Sequence, residues 1–268
     1  MTEADLDREI EENEESVWEE LRREARDWSI KEAALTNWLH RVILDQKSLA
    51  TALALLLSTK LQGREVDSRS FYQVFYESIK VDKDLVLSSE ADLRATYDRD
   101  PACNSYLKPL LFYKGYQAVQ AYRVANRLWN QGQIIMAEYM QSRVSEVFQV
   151  DIHPAAKIGK GLMIDHATGV VIGETAVVGD GVSLLHGVTL GGNGKEPGDR
   201  HPKIGSGTMI GAGASVLGNI TIGVSCRIGA GSVVLRDVPD NTSVAGIPAK
   251  ELGAAGSEQP ARFMEQKF

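Results

Sequence analysis

The sequence predicts an α+β protein: an all-helical first half, then a parallel β coil of hexapeptide repeats carrying one extruded loop. Three observations predict it. All four Trp and all eight Tyr lie before residue 140, and no aromatic residue falls between Gln149 and Arg262. Glycine does the reverse, with 22 of its 25 occurrences after residue 150. In that glycine-rich half aliphatic residues recur every six positions: Ile152, Ile158, Ile164, Ile172, Val178, Leu184, Leu190, Ile204, Ile210, Val216, Ile222, Ile228 and Val234. The shift places a boundary near Val150. It divides the chain into a helical domain over 1–150, a coil domain over 151–250 and a tail over 251–268.

In the first half Val17, Leu21 and Trp28 recur at helical spacing among charges, and Leu35, Trp38, Leu39, Val42 and Ile43 follow three-four spacing. Helices are predicted near 14–28, 31–45, 47–61, 69–80, 83–97, 111–131 and 133–148. Breaks are expected at Gly63, Asp100–Pro101, Pro109 and Gly132. Ten Asp or Glu within the first twenty residues read as a solvated helix start, the opposite of a secretory or transit peptide.

In the second half three hexads make an eighteen-residue unit. Residues 172–189, 204–221 and 222–239 align without a gap, and 152–169 is a looser copy. Six extended residues per side and three sides per turn give a triangular coil with the aliphatic positions inside. Glycines serve the corners, where positive φ is required. The open end coils need covers, for which the helical half and the chain after 240 are available. Two interruptions are expected, an extra pair at Val170–Val171 and a polar, Gly-rich excursion over 190–203. A loop on a rigid scaffold is where chemistry is expected.

Charge and composition exclude other classes. The net charge of −7 argues against a general nucleic-acid binder. Two cysteines, Cys103 and Cys226, are too few for a disulfide framework, so a reducing compartment is expected. The longest apolar run, 51–61, is too short to span a bilayer. A soluble, cytoplasmic protein is the expectation. The glycines belong to hexads, and neither a Walker loop nor a dinucleotide fingerprint occurs.

Four of the five histidines fall within 153–201. His166 and His186 occupy the same place in adjacent coils, which stack about 4.8 Å apart, so their rings belong on one face. Asp165 precedes His166, Asp151 stands just before the first coil, and Arg200 and His201 close the loop. A histidine beside a carboxylate is the usual general-base arrangement. His40 and His153 read as inert. Zinc is disfavoured because thiolate ligands are lacking and Cys226 falls on a coil position.

From about Asp92 to Lys250 the chain resembles the serine acetyltransferases of the hexapeptide-repeat acyltransferase superfamily. The segments LRATYDRDPAC, VDIHPAAKIGKGLMIDHATG, DRHPKIG and AGIPAK carry the likeness in that order. The resemblance implies a left-handed β-helix, and a homotrimer with sites between neighbours or a hexamer formed as a dimer of trimers. It implies acetyl transfer from acetyl-CoA to the hydroxyl of L-serine, the first step from serine to cysteine, with no metal. His166 becomes the general base, Asp151 its carboxylate partner and His201 a second essential histidine. Asp100, Asp165 and Arg200 hold the amino acid, and backbone amides near Gly191–Gly192 steady the oxyanion. Gly192, Ala212 and Ala230 line the pantetheine arm, and Lys250 meets a phosphate. His186 stands where some members carry glutamine and is placed near the thioester. The C-terminal Phe268 departs from the isoleucine with which members commonly dock into O-acetylserine sulfhydrylase, which puts that complex in doubt. Feedback inhibition by cysteine is implied by the family alone. Alternatives are an O-acyltransferase acting on homoserine or a sugar, and a zinc-dependent protein of the carbonic anhydrase type.

Overall fold

The structure, a computed structural model, describes residues 16–194, 197–254 and 260–263. The helical half runs as α1 (Val17–Lys31), α2 (Thr36–Leu39), α3 (Leu49–Leu61), α4 (Ser68–Val81), α5 (Lys83–Arg99), α6 (Leu107–Phe112), α7 (Lys114–Asn130) and α8 (Ile134–Phe148). Side-chain caps start four of them: Ser16, Ser48, Asp67 and Asp82 each accept a backbone N–H of the first turn. One expectation is corrected. Pro109 does not break the chain but lies in the first turn of α6, where its missing N–H leaves no bond unmade. The break falls instead at Tyr113, whose extended backbone separates α6 from α7.

Helix α7 is buried on nearly every side, and its polar residues are paired. Gln117 Oε1 accepts from Lys60 Nζ at 2.8 Å. Gln120 and Arg123 both bind the fully buried Asp92 of α5, Arg123 through Nη2 at 2.7 Å. Asp92 also accepts the backbone N–H of Leu162 at 2.8 Å, and Arg123 donates to Gly159 O at 2.8 Å. One ion pair thereby joins two helices to the first coil.

From Val150 onward the chain is a left-handed β-helix of about five turns with three sheet faces. The first face stacks β1 (Val150–Ile152), β4 (Val170–Ile172), β7 (Thr189–Gly191), β10 (Ser215–Leu217) and β13 (Val233–Val234). The second stacks β2 (Lys157–Ile158), β5 (Val177–Val178), β8 (Lys203–Ile204) and β11 (Thr221–Ile222). The third stacks β3 (Met163–Ile164), β6 (Ser183–Leu184), β9 (Met209–Ile210), β12 (Arg227–Ile228) and β14 (Thr242–Gly246), and β15 (Ala249–Ala254) closes it antiparallel. The hexad aliphatics pair in register, as in Ile164↔Leu184, Leu184↔Ile210 and Ile210↔Ile228. Helix α8 packs on β1 at one end, and the β14–β15 hairpin covers the other.

The extra pair is also corrected. Val170 and Val171 are ordinary β4 residues, paired with Val150 and Asp151. The two added residues are absorbed in the corner from Asp165 to Gly169, where His166 (φ 55°), Ala167 (φ 59°) and Gly169 (φ 76°) all take positive φ. Two consecutive non-glycine residues in that region are uncommon, so this corner differs from the others at the residue proposed for chemistry.

Candidate active site

The corner turns the His166 ring outward, leaving its side chain 78% exposed. Its ring meets that of His186 on the next coil edge-on, with centroids 6.0 Å apart and planes 78° apart. Above His186 the same edge continues through Ala212, whose carbonyl accepts the N–H of Gly231 beside Ala230. Two imidazoles are thus followed by two methyl groups along one edge of the prism. Asp165 Oδ1 lies 3.8 Å from His166 Nε2, which makes it the carboxylate against that ring.

A cleft of about 590 Å³ opens between this corner and the ends of α5 and α6, lined by Asp100, Asp165, His166, Tyr113 and Lys114 among others. Asp100 ends α5, and its Oδ1 accepts the N–H of Ala102 at 2.8 Å. Arg99 nails the same helix end to the coil through Gly161 O at 3.0 Å and Ser183 Oγ at 3.1 Å. Burial, with the negative charges of Cys103 and Asp100, pushes the Tyr113 hydroxyl up to about 12. Lys114 Nζ donates to Thr168 Oγ1 at 2.5 Å. Gly115 follows, where an ideal Cβ would lie 2.1 Å from the Ile164 carbonyl oxygen, so only glycine lets α7 approach the corner.

Arg200, His201 and Gly192 lie on a different edge. Arg200 Nη2 binds Glu174 Oε2 at 2.7 Å, and that hydrogen bond holds the Glu174 carboxyl below its ordinary range. His201 is buried, and Thr175 contacts its Nδ1. Burial first, then the Arg200 charge, pushes the His201 ring pKa down. Gly192 backs onto Arg200, its ideal Cβ 3.3 Å from Arg200 Cγ. Asp151 on β1 is bound by Gln141 Nε2 at 2.7 Å rather than lying on His166. Lys250 is exposed on β15, opposite Ala245.

Within one chain, then, the fold gathers Asp100, Asp165 and His166, sets His186 beside them, and keeps Arg200, His201 and Gly192 apart. Cys226 is buried among the coils, its thiol pushed up by burial. Among the described residues no three His, Cys, Asp or Glu side chains converge as a metal site. No helix among them is long and apolar enough to cross a membrane. Phe268 lies outside the described residues.

Sequence reasoning missed Glu174 and Thr175, which fill two polar slots of a hexad and so read as repeat filler. From the sequence His153 reads as inert. That ring packs edge-on to Trp129 with centroids 5.0 Å apart, and burial lowers its pKa.

The chain is similar to known proteins along its whole length. Residues 17–121 match the profile of the serine acetyltransferase N-terminal family, and residues 201–236 match bacterial transferase hexapeptide repeats. Serine acetyltransferase of Salmonella typhimurium is 48% identical over 254 residues, covering 95% of this chain and 93% of that protein. Soybean serine acetyltransferase, solved in complex with serine, is 52% identical with a TM-score of 0.87, covering 88% of this chain and 97% of that one. The Brucella abortus enzyme, solved with coenzyme A, is 46% identical with a TM-score of 0.89, covering 91% and 98%. Helical half, repeat and whole-chain likeness agree: this chain belongs to the serine acetyltransferase family.

Proposed function

We propose that this protein transfers the acetyl group of acetyl-CoA to the hydroxyl of L-serine, releasing coenzyme A and O-acetyl-L-serine, the first step from serine to cysteine. The observation that carries the reading is the cleft in which Asp100 and Asp165 stand beside the exposed His166. Two carboxylates suit an ammonium group, and an unburied imidazole suits a base that must meet an incoming hydroxyl. The serine-bound and coenzyme-A-bound relatives support the two substrates.

In this mechanism His166 accepts the hydroxyl proton as the serine oxygen attacks the thioester carbonyl, and the thiolate leaves protonated as coenzyme A. Asp165, the carboxylate 3.8 Å from the ring, stabilises the imidazolium in place of Asp151, which is bound to Gln141. Asp100 and Asp165 hold the ammonium, and Arg200 takes the carboxylate through its planar fork. His201 completes the amino-acid site. The pantetheine arm runs along the edge of small residues, Ala212 and Ala230, with Gly192 against it and His186 near the thioester. Lys250 meets a phosphate.

The candidate residues divide between two edges of the prism, and this division supports sites formed between neighbouring copies. We read the assembly as a homotrimer, or a hexamer made of two, working in the cytoplasm.

The test is thiol release from acetyl-CoA with L-serine, in wild type and His166→Ala, with L-homoserine and a galactoside as control acceptors. Serine-dependent release should fall by about 10²–10⁴-fold in the variant, the usual weight of a positioned base. Equal rates in both proteins would remove His166 from the mechanism, and preference for another acceptor would replace serine.

A further inference from the structure

His201 carries no assigned protonation state in the reading above, and its surroundings supply one. Four hydrogen bonds join Thr175, one coil away, to Arg200 and His201. Its hydroxyl oxygen accepts the backbone N–H of Arg200 at 3.0 Å and that of His201 at 3.1 Å. Having accepted twice, the hydroxyl has its own proton to give, and it lies 2.9 Å from His201 Nδ1, with the Asp199 carboxylate as the other acceptor in reach. The backbone N–H of Thr175 points at the same nitrogen from 3.2 Å. A backbone N–H only donates, so Nδ1 accepts and bears no proton. In a neutral imidazole the proton then sits on Nε2.

The Nε2 edge lies over Gly173, where an ideal Cβ would fall 2.0 Å from Nε2, so the ring occupies the space a side chain would take. Among the described residues Nε2 makes no hydrogen bond within the chain. The charges facing the ring agree with a neutral form: burial, Arg200, Lys203 and His153 resist protonation, and Glu174 and Asp199 oppose them.

We propose that Thr175 is a positioning residue that holds His201 as the Nε2-protonated neutral tautomer, so that His201 meets the substrate as a hydrogen-bond donor and not as a second base. The proposal rests on the serine acetyltransferase reading only for what the donor serves. It assigns the two histidines different chemistry. His166, exposed on the cleft beside Asp165, serves as the base. His201 is held in one state throughout the cycle.

The test has two readouts. Long-range ¹H–¹⁵N spectra of full-length protein labelled at histidine, with His201 assigned by its loss in His201→Gln, should show Nδ1 unprotonated and Nε2 protonated in wild type. Thr175→Val should shift that signal towards a mixture of tautomers, and Thr175→Ser should restore it. In the thiol-release assay, His201→Gln, whose amide N–H reproduces the Nε2 donor, should retain at least about tenfold more kcat/KM than His201→Asn. Thr175→Val should add an acid ionisation to the pH profile of kcat/KM, and Thr175→Ser should not. A wild-type signal with Nδ1 protonated, or His201→Asn matching or exceeding His201→Gln, overturns the proposal. Reading the wild-type spectrum needs only His201→Gln to fold. If wild type releases no thiol with serine, the proposed function fails while the spectrum still decides the tautomer.

Discussion

His153 and His201 are the two rings whose environment sets a dependence on pH. Both have folded pKa values pushed below the ordinary histidine value, chiefly by burial. As pH falls, the unfolded chain therefore takes up their protons before the folded one does. The stability they contribute is complete above about pH 6.5 and is lost as pH falls from there towards their folded values. Glu174 and Asp199 are held below the ordinary carboxylate range by Arg200 and Lys203, so their contribution persists until pH falls well into that range. The two rings should therefore pull urea midpoints down between about pH 7 and about pH 5.5, against the opposite pull of Glu24, Glu90 and Asp92, whose carboxyls burial pushes up. The double variant His153→Gln, His201→Gln should flatten that drop. An equally steep drop in the double variant would assign it to other groups.

Among the elements, α5 is the one whose placement decides the cleft, because Asp100 stands at its end. Two devices fix it on the first coil: Arg99 on Gly161 and Ser183, and the buried Asp92 on Leu162 and Arg123. Leu162 lies just ahead of β3, which leads directly into Asp165 and His166. The Asp92 pair thereby sets the distance between the two walls of the cleft. Asp92→Asn leaves the Arg123 charge buried without its partner and should cost about 3–5 kcal/mol, read as a lowered urea midpoint. Replacing both together, as Asp92→Leu with Arg123→Met, should recover part of that stability, because apolar packing replaces the ion pair while the Leu162 N–H and Gln120 lose their acceptor. If the single variant unfolds at the wild-type midpoint, the pair does not hold the halves together.

For the whole molecule, the question is whether one chain builds a site. His166 and His201 stand on different edges of the prism, and a rigid coil offers no hinge to bring them together. If each site takes His166 from one copy and His201 from its neighbour, two inactive variants should complement. Unfolded His166→Ala and His201→Ala chains, mixed and refolded together, should recover a substantial fraction of wild-type activity, where each alone recovers almost none. Failure of the mixture, with the assembly size unchanged by light scattering, would place the site within a single copy.

Much of this was legible in the amino-acid order. The hexad aliphatics announce the coil because each must point inward at every turn, and an error of one residue would expose the whole set. That register also sets His186 on the equivalent of His166, but the corner bond from Gly187 N–H to Thr168 O makes Thr168 the residue stacked under His186, and His166 meets His186 from the two-residue bulge. Other features were not legible. Pro109 looks like a break until its place in the first turn of α6 is known. Val170–Val171 look like an insertion because a string shows only that the period slips, while the added residues settle where a corner can absorb them. Glu174 and Thr175 carry no local mark, and only the stacking of coils sets them against Arg200 and His201. Sequence by itself determined the architecture and the chemical types available, because periodic burial is written into every repeat. Tertiary structure alone decided which edge each group occupies and which nitrogen of His201 bears the proton, because those follow from contacts between residues far apart in the chain.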